Sequence, residues 1–183
     1  MLVGNVCSGG LFEKVEVRDH EVWKPGSLRA NIAEAVERTA TRRELPIVPR
    51  AWQIEMAAGM LESRDSLCLT KTGDGKTYCF LVASIYNPSL IFLVVSPLIS
   101  LMEDQVRAAR TAGIKAVSLN SENLRKEPQI ATSAAAGQYQ LLFVSPELLN
   151  MDNTVFKKLL ASKVVHARLG GVIIDEAHLC HQW

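Results

Sequence analysis

Five short apolar runs set the limits on what this chain can fold into. "SLCLT", "LIFLVVS", "KAVSLN", "QLLFVS" and "GVIIDE" follow one another from residue 66 onward. Each is apolar at successive positions rather than at every second one, so as a strand each would bury both of its faces. Between them lie stretches of helical character: 75–86, 98–112, the Ala-rich segment ending at Gly137, and "VFKKLLAS". Strands buried on both faces and separated by helices predict an α/β fold, a mostly parallel sheet with helices on both faces. Ligands of such sheets bind at the carboxyl ends of the strands. Upstream, Ser27 is placed to cap a helix in which Leu28, Ile32 and Val36 share one face. "TRRELPIVPR" reads as a connector kept out of helix by Pro46 and Pro49, and a further helix is expected over 51–61. Residues 1–26 read as irregular.

Composition narrows the function classes less than the motifs do. The 183 residues suit one domain, and the 48% hydrophobic content is enough for a real core. A net charge of +1 gives no sign of a nucleic-acid partner, so that reading has to come from motifs. The longest apolar run, Leu90–Val95, is far too short to span a bilayer, and no membrane association is expected. "MLVGNVCSGG" lacks the basic start and long apolar segment of a signal peptide. Cys7, Cys68, Cys79 and Cys180 are scattered without metal-ligand spacing, which predicts reduced thiols in a nuclear or cytosolic protein.

The stretch "LTKTGDGKTYCF" carries the first chemistry. A strand ends, a glycine-rich turn follows and a helix begins, which is the setting in which backbone N–H groups and a helix N-terminus wrap phosphates. Thr72, Gly73, Asp74 and Gly75 form the wrap. Lys76 is the cation for the outer phosphates, and Thr77 supplies a hydroxyl for Mg²⁺. Thr70 stands where the G-x-x-x-x-G-K-[ST] pattern has its first glycine, a departure that touches the shape of the loop more than its chemistry. The alternative is a surface turn that happens to contain G-K-T.

"GVIIDEAH" supplies the second half of an ATPase site. Four apolar residues ending in two carboxylates put Asp175 and Glu176 at a strand's carboxyl edge. Asp175 is the candidate for Mg²⁺, and Glu176 for orienting or deprotonating an attacking water. A solvated acidic turn is the plainer alternative, with His178 on the surface.

Together, "TKTGDGKT", "VVSPLISLMEDQV", "LLFVSPELL" and "IIDEAHLCHQW" resemble superfamily 2 helicases in order and approximate spacing, and the details resemble the RecQ branch, particularly fungal RecQ-like proteins. The resemblance covers about Pro49 to Trp183. It implies a RecA-like ATP-binding domain over 46–183, after an N-terminal extension, 1–45, of unknown role. It further implies an ATP-dependent 3′–5′ DNA helicase using ATP and Mg²⁺ on single-stranded DNA or a duplex junction. Within that family the first loop position is often not glycine, so Thr70 fits. By the same resemblance Gln53, in "PRAWQ", meets the adenine edge. Ser96, Pro97 and Leu98, and likewise Ser145, Pro146 and Glu147, meet the nucleic-acid backbone; ordinary helix initiation is the alternative for both Ser-Pro pairs. His178 links ATP to nucleic acid, and Gln182 and Trp183 begin an aromatic-rich loop, with Trp183 placed to stack on a base.

The family's second RecA-like domain, its arginine finger, its serine/alanine/threonine motif and the RecQ zinc region have no counterpart in these residues. The expectation is therefore an incomplete first motor domain. Family topology puts the strand of the unmatched motif between the "SLCLT" and "GVIIDE" strands, so those two are expected to flank a gap or to pair directly. A nucleotide- or DNA-binding module without turnover, and an unrelated phosphate-loop kinase, are the competing function classes.

Overall fold

A computed structural model describes residues 2–4, 23–71, 73–149 and 154–182. Its six-stranded sheet runs β2-β1-β6-β3-β5-β4. The strands are β1 (Leu2–Gly4), β2 (Ser66–Leu67), β3 (Ile91–Val95), β4 (Ala116–Leu119), β5 (Leu141–Val144) and β6 (Leu169–Ile174). The pairs β3–β6, β3–β5 and β4–β5 are parallel. The mostly parallel α/β sheet read from the apolar runs is therefore present.

Successive strand residues face opposite cores. Phe92, Val94, Leu141, Phe143 and Ile173 join one cluster, while Ile91, Leu142 and Val144 join the other. The first cluster takes α1 (Leu28–Arg43), α2 (Ala51–Leu61), α3 (Thr77–Tyr86) and α4 (Ile99–Thr111) through Ile32, Val36, Ile54, Phe80 and Met102. Phe80 meets Phe143 edge-on, with ring centroids 5.9 Å apart. The second cluster takes α5 (Ser121–Lys126), α6 (Gln129–Ala135), α7 (Thr154–Ala161) and α8 (Lys163–Arg168), with Ile130, Leu159 and Val165 its main anchors.

Ser27 caps α1 as read, its Oγ accepting from Ala30 N at 3.3 Å. Ile32 and Val36 are fully buried in the core they share with α2 and α3. A charged network fastens α1 to α2 and the turn that follows it. Arg29 Nη2 donates to Glu55 Oε1 at 2.6 Å and Arg29 Nη1 to Glu62 Oε1 at 3.0 Å, while Arg64 Nη2 also reaches Glu55 Oε1 at 3.1 Å. These hydrogen bonds, Arg29's foremost, hold the Glu55 carboxyl below its usual range.

Two expectations need correcting. The position between β2 and β6 is neither a gap nor a direct pairing, because β1 lies there antiparallel to both. Leu2 pairs with Leu67 on one side and with Ile174 on the other. Nor is "SLCLT" a strand buried on both faces. Only Ser66–Leu67 is in strand, and Leu67 and Leu69 are 43% and 83% exposed. The cause is position: β2 is an edge strand, and its ladder ends where its three-residue neighbour ends.

Candidate nucleotide and cation site

The candidate residues gather at the carboxyl edge of the sheet, where β2, β3, β5 and β6 all end. From β2 the chain turns through Gly73 and Gly75, both at positive φ (89° and 83°), into α3. Gly75 is required twice over. Its backbone is left-handed, and a Cβ there would stand 2.8 Å from Gln53 Nε2. Gln53 is only 4% exposed. Its Nε2 donates to Gly75 O at 2.9 Å and its Oε1 accepts from Arg50 N at 2.8 Å, so both ends of the amide hold the loop to the start of α2. Asp74 stays within the loop, its Oδ2 accepting from Lys71 N at 3.0 Å. Lys76 folds back over the same loop, donating from Nζ to Lys71 O at 3.1 Å and Thr70 O at 3.4 Å. Carbonyl oxygens thus stand where the ammonium would otherwise meet phosphate oxygens. Thr72 lies outside the described residues.

At the end of β6, Asp175 N continues the ladder to Val95 O at 2.8 Å. The Asp175 side chain is 4% exposed, and each oxygen has a partner. Oδ1 accepts from Glu176 N at 3.0 Å, and Oδ2 accepts from Gln105 Nε2 at 3.0 Å. Glu176 adopts φ 48°, a left-handed turn that separates its carboxylate from the line of the strand. His178 is exposed, with Nδ1 3.4 Å from Glu176 Oε2.

The phosphate loop and the acidic pair meet through Gln105. Its Nε2 also approaches Thr77 Oγ1 at 3.3 Å, so one amide touches both oxygens read as Mg²⁺ ligands. A hydroxyl and a carboxylate spanned by one small donor group form a hard-oxygen pair that fits Mg²⁺, a cation that takes few protein ligands and keeps several waters. Gln105 lies within S-P-L-I-S-L-M-E-D-Q-V, a segment whose resemblance implies a role only for its Ser-Pro-Leu start. The signal for it was periodicity. Met102, Gln105, Val106 and Ala109 form the buried stripe of α4, and an amide in such a stripe needs a partner.

Ser96 and Ser145 continue β3 and β5, with Ser96 N donating to Val144 O and Ser145 N to Leu119 O. The two serines are 0% and 1% exposed, and neither hydroxyl has a hydrogen-bond partner among the described residues. What faces solvent is the next turn: Leu98 is 48% exposed, Glu147 is exposed, and Pro97 and Pro146 are half-buried. Trp183 lies outside the described residues. A concavity of about 610 Å³ lies against α7 and α8, lined by Leu93, Val95, Phe156, Leu160 and Val172 among others, and none of the candidate residues lines it.

The DEAD/DEAH box helicase family profile matches residues 50–183. The chain is 39% identical over 135 residues to the ATP-dependent DNA helicase RecQ of Haemophilus influenzae, covering 73% of this chain and 21% of that protein. It is 38% identical over 132 residues to the RecQ helicase of Synechocystis, covering 72% and 27%. It is 31% identical over 137 residues to ATP-dependent DNA helicase Q1 of Rattus norvegicus, covering 73% and 22%. The chain thus spans about a fifth to a quarter of the length of these curated relatives.

Proposed function

Because the chain belongs to the DEAD/DEAH box helicase family, we propose that it is the ATP-binding part of a RecQ-like, 3′–5′ DNA helicase motor. The observation that carries this reading is the convergence on Gln105. It brings the end of the phosphate loop and the end of the acidic strand within two hydrogen bonds of each other, although Gln105 itself lies 28 residues after Thr77 and 70 before Asp175. A kinase reading does not account for the S-P-L-I-S-L-x-x-D-Q segment that supplies Gln105.

In this reading Lys76 exchanges its two loop carbonyls for the outer phosphates, and the amides of Gly73, Asp74 and Gly75 wrap them with the N-terminus of α3. Thr77 and Asp175 would hold Mg²⁺, which would supply positive charge to neutralise the phosphates. Glu176, beyond the buried carboxylate and half-exposed, is placed to orient water and take its proton. Gln53 has to release Gly75 O to offer its amide to adenine, so base recognition and loop opening are linked. DNA is met along the edge from Pro97 to Ile99 and from Pro146 to Glu147. Ser96 and Ser145 lie behind that edge, supporting it from within.

The test is titration of the chain with a fluorescent ATP analogue in Mg²⁺. Lys76→Ala should abolish saturable binding, because Lys76 is the cation read as meeting the outer phosphates. Equal affinity in the two proteins would refute the site.

A further inference from the structure

Gln105 asks for more explanation than family membership provides. It is 4% exposed on a helix face otherwise made of Met102, Val106 and Ala109. Burying a primary amide costs free energy that a leucine of similar volume would not incur, unless the amide's hydrogen bonds do something. Its nitrogen end is fixed by chemistry, since the Asp175 carboxylate 3.0 Å away only accepts. Its Oε1 is buried and has no hydrogen-bond partner among the described residues. The side chain is therefore committed to one job at one end, and that job spans Asp175 Oδ2 and Thr77 Oγ1.

We propose that Gln105 is a positioning residue for the divalent cation, holding Asp175 and Thr77 in the register the ion requires; this rests on the nucleotide-site reading above. Asp175 Oδ1 is already occupied by Glu176 N, so Gln105 supplies the second bond that stops the carboxylate from rotating. Removing it leaves a buried carboxylate oxygen without a partner and free to turn away from Thr77. Partners that orient metal ligands in this way typically contribute about 10–100-fold to metal affinity. The position on α4 adds a consequence. Gln105 lies six residues beyond Ile99, about 9 Å along the helix axis, so a shift of the solvent-facing first turn of α4 moves the amide that sets the cation ligands.

The experiment uses the full chain, a fluorescent ATP analogue and Mg²⁺. Wild type, Gln105→Leu, Gln105→Ala and Lys76→Ala are titrated with the analogue in chelator and then with Mg²⁺ at fixed analogue. Both Gln105 variants should bind the analogue in chelator within about twofold of wild type. Their half-saturating Mg²⁺ should rise about 10–100-fold. A steric or purely structural role would alter binding in chelator equally and leave the Mg²⁺ midpoint in place. An unchanged midpoint with intact analogue binding overturns the positioning role alone. Binding by Lys76→Ala equal to wild type overturns the nucleotide site, and this proposal with it. The alanine variant keeps the test open if leucine is not accommodated, and loss of fold in both would show a packing role and overturn the proposal.

Discussion

Gly73 and Gly75 offer a comparison in which one variable changes at a time. Both have φ near 85°, so replacing either by alanine imposes the left-handed penalty on a residue with a Cβ, about 1–2 kcal/mol. Around Gly73 a Cβ meets nothing within 4 Å. At Gly75 it meets Gln53 Nε2 at 2.8 Å and Tyr78 Cδ2 at 3.1 Å. Relieving that contact displaces Gln53 and breaks its bond to Gly75 O, a further loss of about 1 kcal/mol, or more if the buried amide finds no new partner. Gly75 also stands one residue before the N-cap position of α3, and Tyr78 N in the first turn donates to its carbonyl at 3.0 Å. The expected costs are about 1–2 kcal/mol for Gly73→Ala and about 2–3 kcal/mol for Gly75→Ala. Urea unfolding of both variants beside wild type, followed by circular dichroism, measures the difference. If Gly75→Ala is no more destabilised than Gly73→Ala, the Gln53 clamp contributes nothing and the loop is held by other means.

Ile32→Ala should destabilise the domain by about 2–5 kcal/mol, because the side chain is fully buried against α2 and α3; a cost below 1 kcal/mol in the same unfolding assay would mean that α1 is not part of the core. Glu55 gives a pH dependence of defined sign. Its folded-state pKa lies below the ordinary 4.5, so its stabilisation is complete above 4.5 and is lost as pH falls through the lower folded value. Glu55→Gln should be less stable than wild type at neutral pH and should show a shallower acid limb when melting temperature is followed below pH 4.5; parallel acid limbs would count against the Arg29–Glu55 pairing.

What the sequence reveals about this molecule is set by how local each feature is. β3, β4, β5 and β6 were legible because burial on both faces leaves its mark residue by residue. α2 falls on the expected 51–61 for the same reason, its apolar face being continuous. The Ala-rich stretch before Gly137 forms α6, whereas α5, six mostly polar residues ahead of Pro128 with none buried, shows no periodic pattern. α8 was missed. Its six residues are too few for a periodic pattern, and the one clue was Ser162, whose Oγ accepts from Val165 N at 3.1 Å. β1 was illegible because "LVG" carries no pattern, and its partners lie far off in sequence. Exposure of β2 depends on its place in the sheet, which no local run encodes. In the site, G-D-G-K-T and D-E-A-H could be read directly. The burial of Ser96 and Ser145 and the bridging by Gln105 depend on how α4 sits against the sheet.

The place of β1 also governs the order in which the sheet can be completed. Leu2–Gly4 pairs with Val172–Ile174, roughly 170 positions away, so this ladder adds heavily to contact order. On a ribosome moving at about 5–20 residues per second, residues 2–4 emerge on the order of ten to thirty seconds before their β6 partner exists. During that interval the parallel core of β3, β5 and β4 can assemble and β1 can pair with β2, but without β6 that pair is not joined to the core. Completion of the nucleotide site therefore waits for one late, long-range closure. A chaperone or a fused tag that occupies residues 2–4 would delay that closure while leaving the remainder of the sheet free to form.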